Sequence, residues 1–595
     1  QATGLTARDR HTGLTIDRLD TRFSFCRKAM ELADLNALAG SSHIRNYLAF
    51  RYDHPSSFND LNNKVEIEAH FADSKIYSDD IGYFAKYLFS LDETWQVTGN
   101  FKGKVSDFTL SNLNMRFGER SVLRGEFTFR GLPEFRTTGM FFKLQESHIY
   151  PKDLVQYHPP AGFHKTLQKF GNIRANAIYA GSVADFTVKG QFHTDIGYLD
   201  TDLVFHARES HNTTYKGYLK TQNLDLGAVL DNPEAFQKLD FAGNIDGIGM
   251  TLQSASSHVS ATVARIGFKG YDYKNVTFDG NLQKSFFKGM VGSIDPNMVF
   301  ELNGMVDFTG ERNHYDFDGI FEQVNLGTLG FTKKPLRLHT RVNIRADGNT
   351  PDDLTGKVSL TDIYLLKPEN DRNLLLDSLI LTTGIENGLY RLTLASDIVN
   401  AEVSGDFIPS QAVTDIKKLL AEYRLFFAGN ESDRAAYYSN KSLSDSVARR
   451  YNIDYNLTTG NMTALMDFLA PDVYISEGTH LSGFLQMDNT SLVMVEGKAD
   501  TLKWGENYMY GTELDIFFSK FVKNPEVLAS ANLVSHQQAV GSVLKLEKLF
   551  VDATWENDHI HFVSNVRQTG SGNKAALNGN LDFIASGIKV NLEEG

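Results

Sequence analysis

Residues 65–71 read Val-Glu-Ile-Glu-Ala-His-Phe, apolar at every odd position and polar at every even one. A β-strand turns successive side chains to opposite faces, so this is the pattern of a strand with one buried and one wet face. Five further windows repeat it, at 186–192, 276–282, 300–308, 342–346 and 401–407. Their apolar parity carries Val65, Ile67, Phe71, Phe186, Val188, Val276, Phe278, Leu282, Phe300, Leu302, Val342, Ile344, Val403 and Phe407. The opposite parity carries Glu66, Glu68, Lys189, Asp279, Asn303, Arg345, Glu402 and Asp406. A central parallel sheet would be apolar on both parities, so these strands belong to an antiparallel meander. Four windows place a glycine on the apolar parity: Gly190, Gly280, Gly304 and Gly405. Glycine weakens a strand unless the sheet bends there or another backbone comes close, and a strongly curved sheet is expected.

A longer regularity overlies the alternation. Gly-Asn-Phe/Ile recurs at Gly99, Gly171 and Gly243, and an Asp-Ile/Leu helix opening at Asp80, Asp153 and Asp225. IYSDDIGYF at 76–84 matches IYPKDLVQY at 149–157, and GKVSDFTL at 103 echoes GSVADFTV at 181. The spacing of about 72 residues predicts duplicated units, each a short helix with Asp near its first turn followed by curved strands. The register is clearest over 76–310 and blurs beyond about 320, where FDGIFEQVNLGTLG at 317–330 and NMTALMDFL at 461–469 are candidate diverged copies of the helical part.

The pattern breaks at 411–450. After Pro409 and Ser410, a candidate N-cap, Val413, Ile416, Leu419, Leu420, Tyr423 and Phe427 share one helical face, with Asp415, Lys417, Lys418 and Glu422 opposite. Such an amphipathic helix either covers the sheet or plugs the groove, or else serves a membrane surface or partner. The expected organisation is therefore a repetitive β-groove over 1–410, a helical insertion over 411–450 and a resumed β-groove over 451–595.

At 595 residues the chain exceeds a single ordinary core, and 42% hydrophobic with 12% aromatic residues excludes a disordered chain. A net charge of -14 leaves no basic stripe for nucleic acid. Cys26 stands alone, which excludes a disulfide framework and leaves a buried or incidental thiol. No run of 18 apolar residues spans a membrane, and the start at Gln1 is read as that of a processed or trimmed segment.

No nucleophile elbow, P-loop, HExxH helix or paired CxxC is present. His158 and His164 in YHPPAGFH come nearest to metal spacing, but the prolines between them favour a turn. SIDPN at 293–297 and RADGNTPDD at 345–353 are accounted for by turn chemistry before calcium capture. No catalytic residue, metal or cofactor is expected. The apolar face remains, either a sealed interior or an open trough for acyl chains.

The run LDLGAVLDNPEAFQKLDFAGNIDGIGMTL at 224–252, with GFKGYDYKNVTFDGNLQKSFFKGMVGSIDPNMVFELNGMVDF at 267–308, resembles the TamB (translocation and assembly module) family of Bacteroidota, within the AsmA-like, bridge-like lipid-transfer group. LRGEFTFRGLPEFRTTGMFFKL at 123–144 is similar to the same family, and the likeness covers roughly residues 60–410. It implies a β-taco: a long sheet folded lengthwise, apolar inside, in the periplasm. It further implies an inner-membrane helix ahead of this sequence, a BamA-type (TamA-like) outer-membrane barrel as partner, and no enzymatic activity. The family is associated with phospholipid traffic to the outer membrane and with outer-membrane protein assembly. If roughly 35 to 40 strands stack at ~4.8 Å each, the sheet reaches about 170 to 190 Å. The principal rival is a transmembrane β-barrel, which also alternates but lacks the 72-residue repeat.

Overall fold

The computed structural model describes residues 1–595 apart from 9–14, 83–87, 90, 135, 158–160, 207–212, 250–255, 284–285, 428–430, 445–449, 523–524, 542–543, 585–586 and 595. The protein is mostly β, with 35 strands and short helices among the described residues. It divides into two units, Gln1–Asp295 and Pro296–Gly595, a boundary with no counterpart in the sequence pattern. Within each unit every described pairing is antiparallel, and nearly all join strands consecutive along the chain. The strands do not close into a barrel. Seven α-helices are seen among the described residues: α1 (Leu61–Lys64), α2 (Ser78–Ile81), α3 (Ala161–Phe170), α4 (Leu226–Leu230), α5 (Pro409–Phe427), α6 (Glu431–Ser444) and α7 (Thr463–Leu469).

In the first unit a line of β-bulges creases the sheet. Asp34, Asn46, Asp73, Asn112 and Glu146 all have positive φ, in the strands Ala29–Ala39, Ser42–Arg51, Glu66–Tyr77, Asp107–Phe117 and Gly139–Ile149, and the strand registers slip beside them. Short polar side chains tolerate this conformation better than β-branched ones, and each bulge adds an unpaired residue that bends and twists its strand. A bulge also flips the parity, so Phe71 and Ile76 face the same cavity across Asp73. The residue after a bulge repairs the ladder. Ser74 Oγ accepts from Arg45 N at 2.9 Å and Ser147 Oγ accepts from Arg124 N at 2.9 Å, both serines being fully buried. Left unmade, each such bond would orphan a buried amide at about 1–3 kcal/mol.

The curvature therefore comes from acidic and amide residues rather than from the mid-strand glycines. No register slip falls at Gly190, Gly280, Gly304 or Gly405. A Cβ at Gly190, Gly304 or Gly405 would instead meet a neighbouring carbonyl oxygen within 2.3 Å, so close backbone approach explains them.

The duplicated segments have local counterparts. Asp80 accepts from Ser41 N (2.9 Å) and Ser42 Oγ (2.7 Å), while Tyr77 N donates to Ser42 Oγ (2.9 Å). Asp153 accepts from Ser121 N and Ser121 Oγ, and Tyr150 N donates to Ser121 Oγ (2.9 Å). Each Asp thus clasps the hairpin turn two strands back, whereas Asp225 caps its own α4 by accepting from Ala228 N. Gly103 and Gly181 also correspond, at φ +133° and +137°, opposite Phe108 and Phe186. The Gly-Asn-Phe/Ile triplets do not: Gly99 and Gly243 lie inside strands and Gly171 lies in the turn before one. Residues 317–325 are strand instead of helix, while 463–469 form α7.

Candidate functional site

Each unit carries an apolar cavity on the inner face of its sheet. In the first unit it encloses about 390 Å³ and is lined by Ile67, Phe71, Trp95, Val97, Phe101, Phe108 and Leu113, with Asn62 and Ser106 among its few polar neighbours. Trp95 Nε1 donates to Tyr157 Oη at 2.9 Å, and burial pushes the Tyr157 hydroxyl up to about 12. Beyond it runs a ladder of rings, one per strand: Phe101, Phe108, Phe129, Phe142, Tyr179, Phe186, Phe205 and Tyr215, with centroids 4.7 to 6.5 Å apart. These are offset or tilted cross-strand contacts, each worth about 0.5–1.5 kcal/mol beyond area burial. They give the inner face a continuous aromatic surface across eight strands.

In the second unit the cavity is larger, about 800 Å³, and its lining is apolar except for Ser530 and the tyrosine hydroxyls. Its floor includes Val403, Tyr455, Val495, Ile516, Ala531 and Ala553, and its wall is α5. The helix lies across the strands. Ala412 packs on Tyr451, Ile453 and Leu485, Tyr423 on Phe518, and Phe426 on Val527 and Trp555. From 412 to 426 the helix advances roughly 21 Å, and the strands from Tyr451–Thr459 to Leu544–Glu556 are five steps of ~4.8 Å, roughly 24 Å. Its axis therefore runs perpendicular to the strands, along the trough.

The contacts correct the helical-face expectation for α5. Ala412, Leu419, Glu422, Tyr423 and Phe426 pack on the sheet, so Leu419 and Tyr423 lie as expected, while Val413, Ile416 and Leu420 line the cavity half-exposed. Phe427 is helical, but its side chain lies outside the described residues. Ser410 is inside the helix and binds Asp352 through its amide and hydroxyl. Glu422, expected in water, is 2% exposed. It pairs with Lys520 (2.7 Å) and Lys441, and accepts from the hydroxyls of Tyr437 and Tyr438, both at 3.1 Å. Burial pulls its carboxyl upward, but the two ammonium groups outweigh this and hold it below the usual carboxylate range. The signal was Lys520 itself: a cation on the inner parity of Asn507–Phe521, after Ile516 and Phe518, needs a buried partner.

The alternating residues fall as follows. Val65 is fully buried, and Ile67 and Phe71 line the first cavity. Phe186 belongs to the ladder, with Val188 half-buried beside it. Val276, Phe278 and Leu282 are half-buried while Thr277, Asp279 and Asn281 are exposed, and Phe278 contacts Phe287 at 5.0 Å. Phe300 contacts Phe321 at 5.7 Å, Leu302 and Ile344 are half-buried and Val342 is buried. Val403 and Phe407 line the α5 cavity, and Glu402 faces out toward Arg391.

Elsewhere, Cys26 is exposed rather than buried, and Asp353 accepts from its own turn at Asn349 N and Thr350 N, which holds its carboxyl down to about 2. His158 and the His164 side chain lie outside the described residues. Among the described residues no group of three or more His, Cys, Asp and Glu could hold a metal, and no helix is long and apolar enough to cross a membrane. No family model matches this sequence, and comparison with curated proteins finds no match to it.

Proposed function

We propose that the protein is a periplasmic bridge that carries phospholipid by its acyl chains along apolar inner sheet surface, between inner and outer membranes, without enzymatic chemistry. The observation that carries this reading is the lining of the α5 cavity, about 800 Å³ walled by apolar side chains. An acyl chain gains ~0.8 kcal/mol per buried CH₂, so such a trough holds lipid without a headgroup site. A charge on the inner face must be stripped of water when a chain passes, whereas one on the outer face stays solvated. Phe278→Asp and Leu302→Arg should therefore abolish outer-membrane lipid supply at normal folded abundance. Thr277→Asp and Asn303→Arg should not. Equal activity in the two pairs would defeat the bridge.

A further inference from the structure

We infer that the outer face of the first unit carries a docking stripe for an extended, acidic polypeptide segment. The stripe lies on the opposite side of the sheet from the apolar cavity, so it stands apart from the lipid-path reading.

The strand register builds it. His43 lies directly opposite Lys75, Lys75 opposite Gln96, and Gln96 opposite Arg116. The line continues through Val122, His148 and Arg174 to His193, each directly paired with the one before. Residues paired in this way point to one side of the sheet. Their chain neighbours Ile76, Trp95 and Met115 line the cavity on the other side, so the row faces outward. One residue comes from each of eight strands, and steps of ~4.8 Å make the row roughly 34 Å long. It holds three cations, three imidazoles and no carboxylate. Its members stand scattered along the sequence and form no basic run, so only the register brings them into line.

The cations of the row are unanswered. Lys75, Arg116 and Arg174 are exposed, and among the described residues their side chains have no hydrogen-bond or ion-pair partner. Other cations of this unit are met across the strands: Lys189 by Asp202 at 2.7 Å, Lys216 by Asp246 at 2.7 Å and Arg51 by Glu68 at 3.1 Å. Around Lys75 and Arg116 the outer face is concave, and Arg45 and Arg120 border the same hollow with Asp73 and Glu119 as its only carboxylates. Asp73 already accepts from Gln96 Nε2 at 2.7 Å. A chain of net charge -14 thus presents a locally positive line that its own carboxylates leave open to an anion from outside. The form of the line selects the partner. It is single-file, and its one apolar member, Val122, is half-buried, so it offers a bilayer no side chain to insert. An extended peptide advances ~3.3 Å per residue, so about ten residues span the row with alternate side chains turned toward it.

The test is fluorescence anisotropy of the protein with a fluorescein-labelled peptide of about ten residues, alternating Glu and Ser. Sedimentation with phosphatidylglycerol vesicles runs beside it. The peptide should bind, and raising salt from ~0.05 to ~0.5 M should release it as screening shortens. Lys75→Gln/Arg116→Gln/Arg174→Gln should weaken binding at least ~10-fold. Arg51→Gln/Lys189→Gln/Lys216→Gln removes the same charge from paired positions and should change binding less than ~2-fold. All six side chains are exposed, so both variants should melt with the unaltered protein. Equal losses in the two variants would reduce the effect to net charge and overturn the stripe. So would failure of the unaltered protein to bind the peptide, or binding of the vesicles with none of the peptide.

Discussion

Replacing Glu422 by Gln isolates the force that holds α5 to the sheet. Glu422 and Lys520 are 2% and 1% exposed, and Lys441 closes on the same carboxylate. Removing the negative charge leaves two ammonium groups facing each other where water does not reach, and breaking a buried pair in this way costs about 3–5 kcal/mol. Lys520→Met is milder, about 1–3 kcal/mol, since Glu422 keeps Lys441, Tyr437 and Tyr438. In the double variant Glu422→Gln/Lys520→Met one cation, Lys441, remains at the site where Glu422→Gln alone leaves two, so the total should fall at least ~1 kcal/mol below the sum of the single changes. Urea unfolding read at Trp555, which packs on Phe426 at 5.3 Å, reports on this region. Hydrogen exchange along α5 should rise in Glu422→Gln before the sheet loosens. Because the folded carboxyl sits below its ordinary value of 4.5, the stabilisation is present above that pH and is lost as pH falls through the folded value. A loss under ~1 kcal/mol for Glu422→Gln, or simple additivity in the cycle, would refute the latch.

The Asp153 clasp gives a second test. Asp153→Ala orphans the amides of Glu119, Arg120 and Ser121 and should cost about 2–4 kcal/mol in thermal or urea unfolding, while exposed Asp185→Ala costs under ~0.5. Burial raises the Asp153 carboxyl, but those donors outweigh it and hold it below 3.8, so the same stabilisation should fade under acid as pH drops through that lowered value. Gly181→Ala would place a Cβ 2.1 Å from the Asp185 carbonyl oxygen at φ +137°, and should cost about 2–3 kcal/mol. Gly270→Ala, at φ +83° with nothing within 4 Å, should cost about 1 kcal/mol by the same unfolding assay, and equal losses would contradict the close-approach account.

What the sequence disclosed followed from period. Alternation over 65–71 or 276–282 is a statement about faces, and burial alone produces it, so the antiparallel class and the inward parity were legible. The crease was not, because Asp73, Asn112 and Glu146 look like ordinary outward polar residues, and nothing in their identity separates an extended backbone from a left-handed one. Residues 317–325 misled because Phe317, Ile320, Phe321 and Val324 stand at helical spacing, i, i+3, i+4 and i+7, although the segment is a strand. On α5 the wheel found the residues that line the cavity, Val413, Ile416 and Leu420, and missed Ala412, Glu422 and Phe426, which are buried against the sheet. Glu422 could be placed only together with Lys520, about a hundred residues away.

Since nearly every strand is hydrogen-bonded to its immediate predecessor and successor, order within a unit can spread along the chain hairpin by hairpin, with each closure spanning only a few tens of residues. A segment synthesised N-terminus first would find its partner already in place and would not have to wait for distant sequence. The same arrangement makes failure local: loss of one strand removes the ladder only from its immediate neighbours, so strands farther along a unit stay assembled.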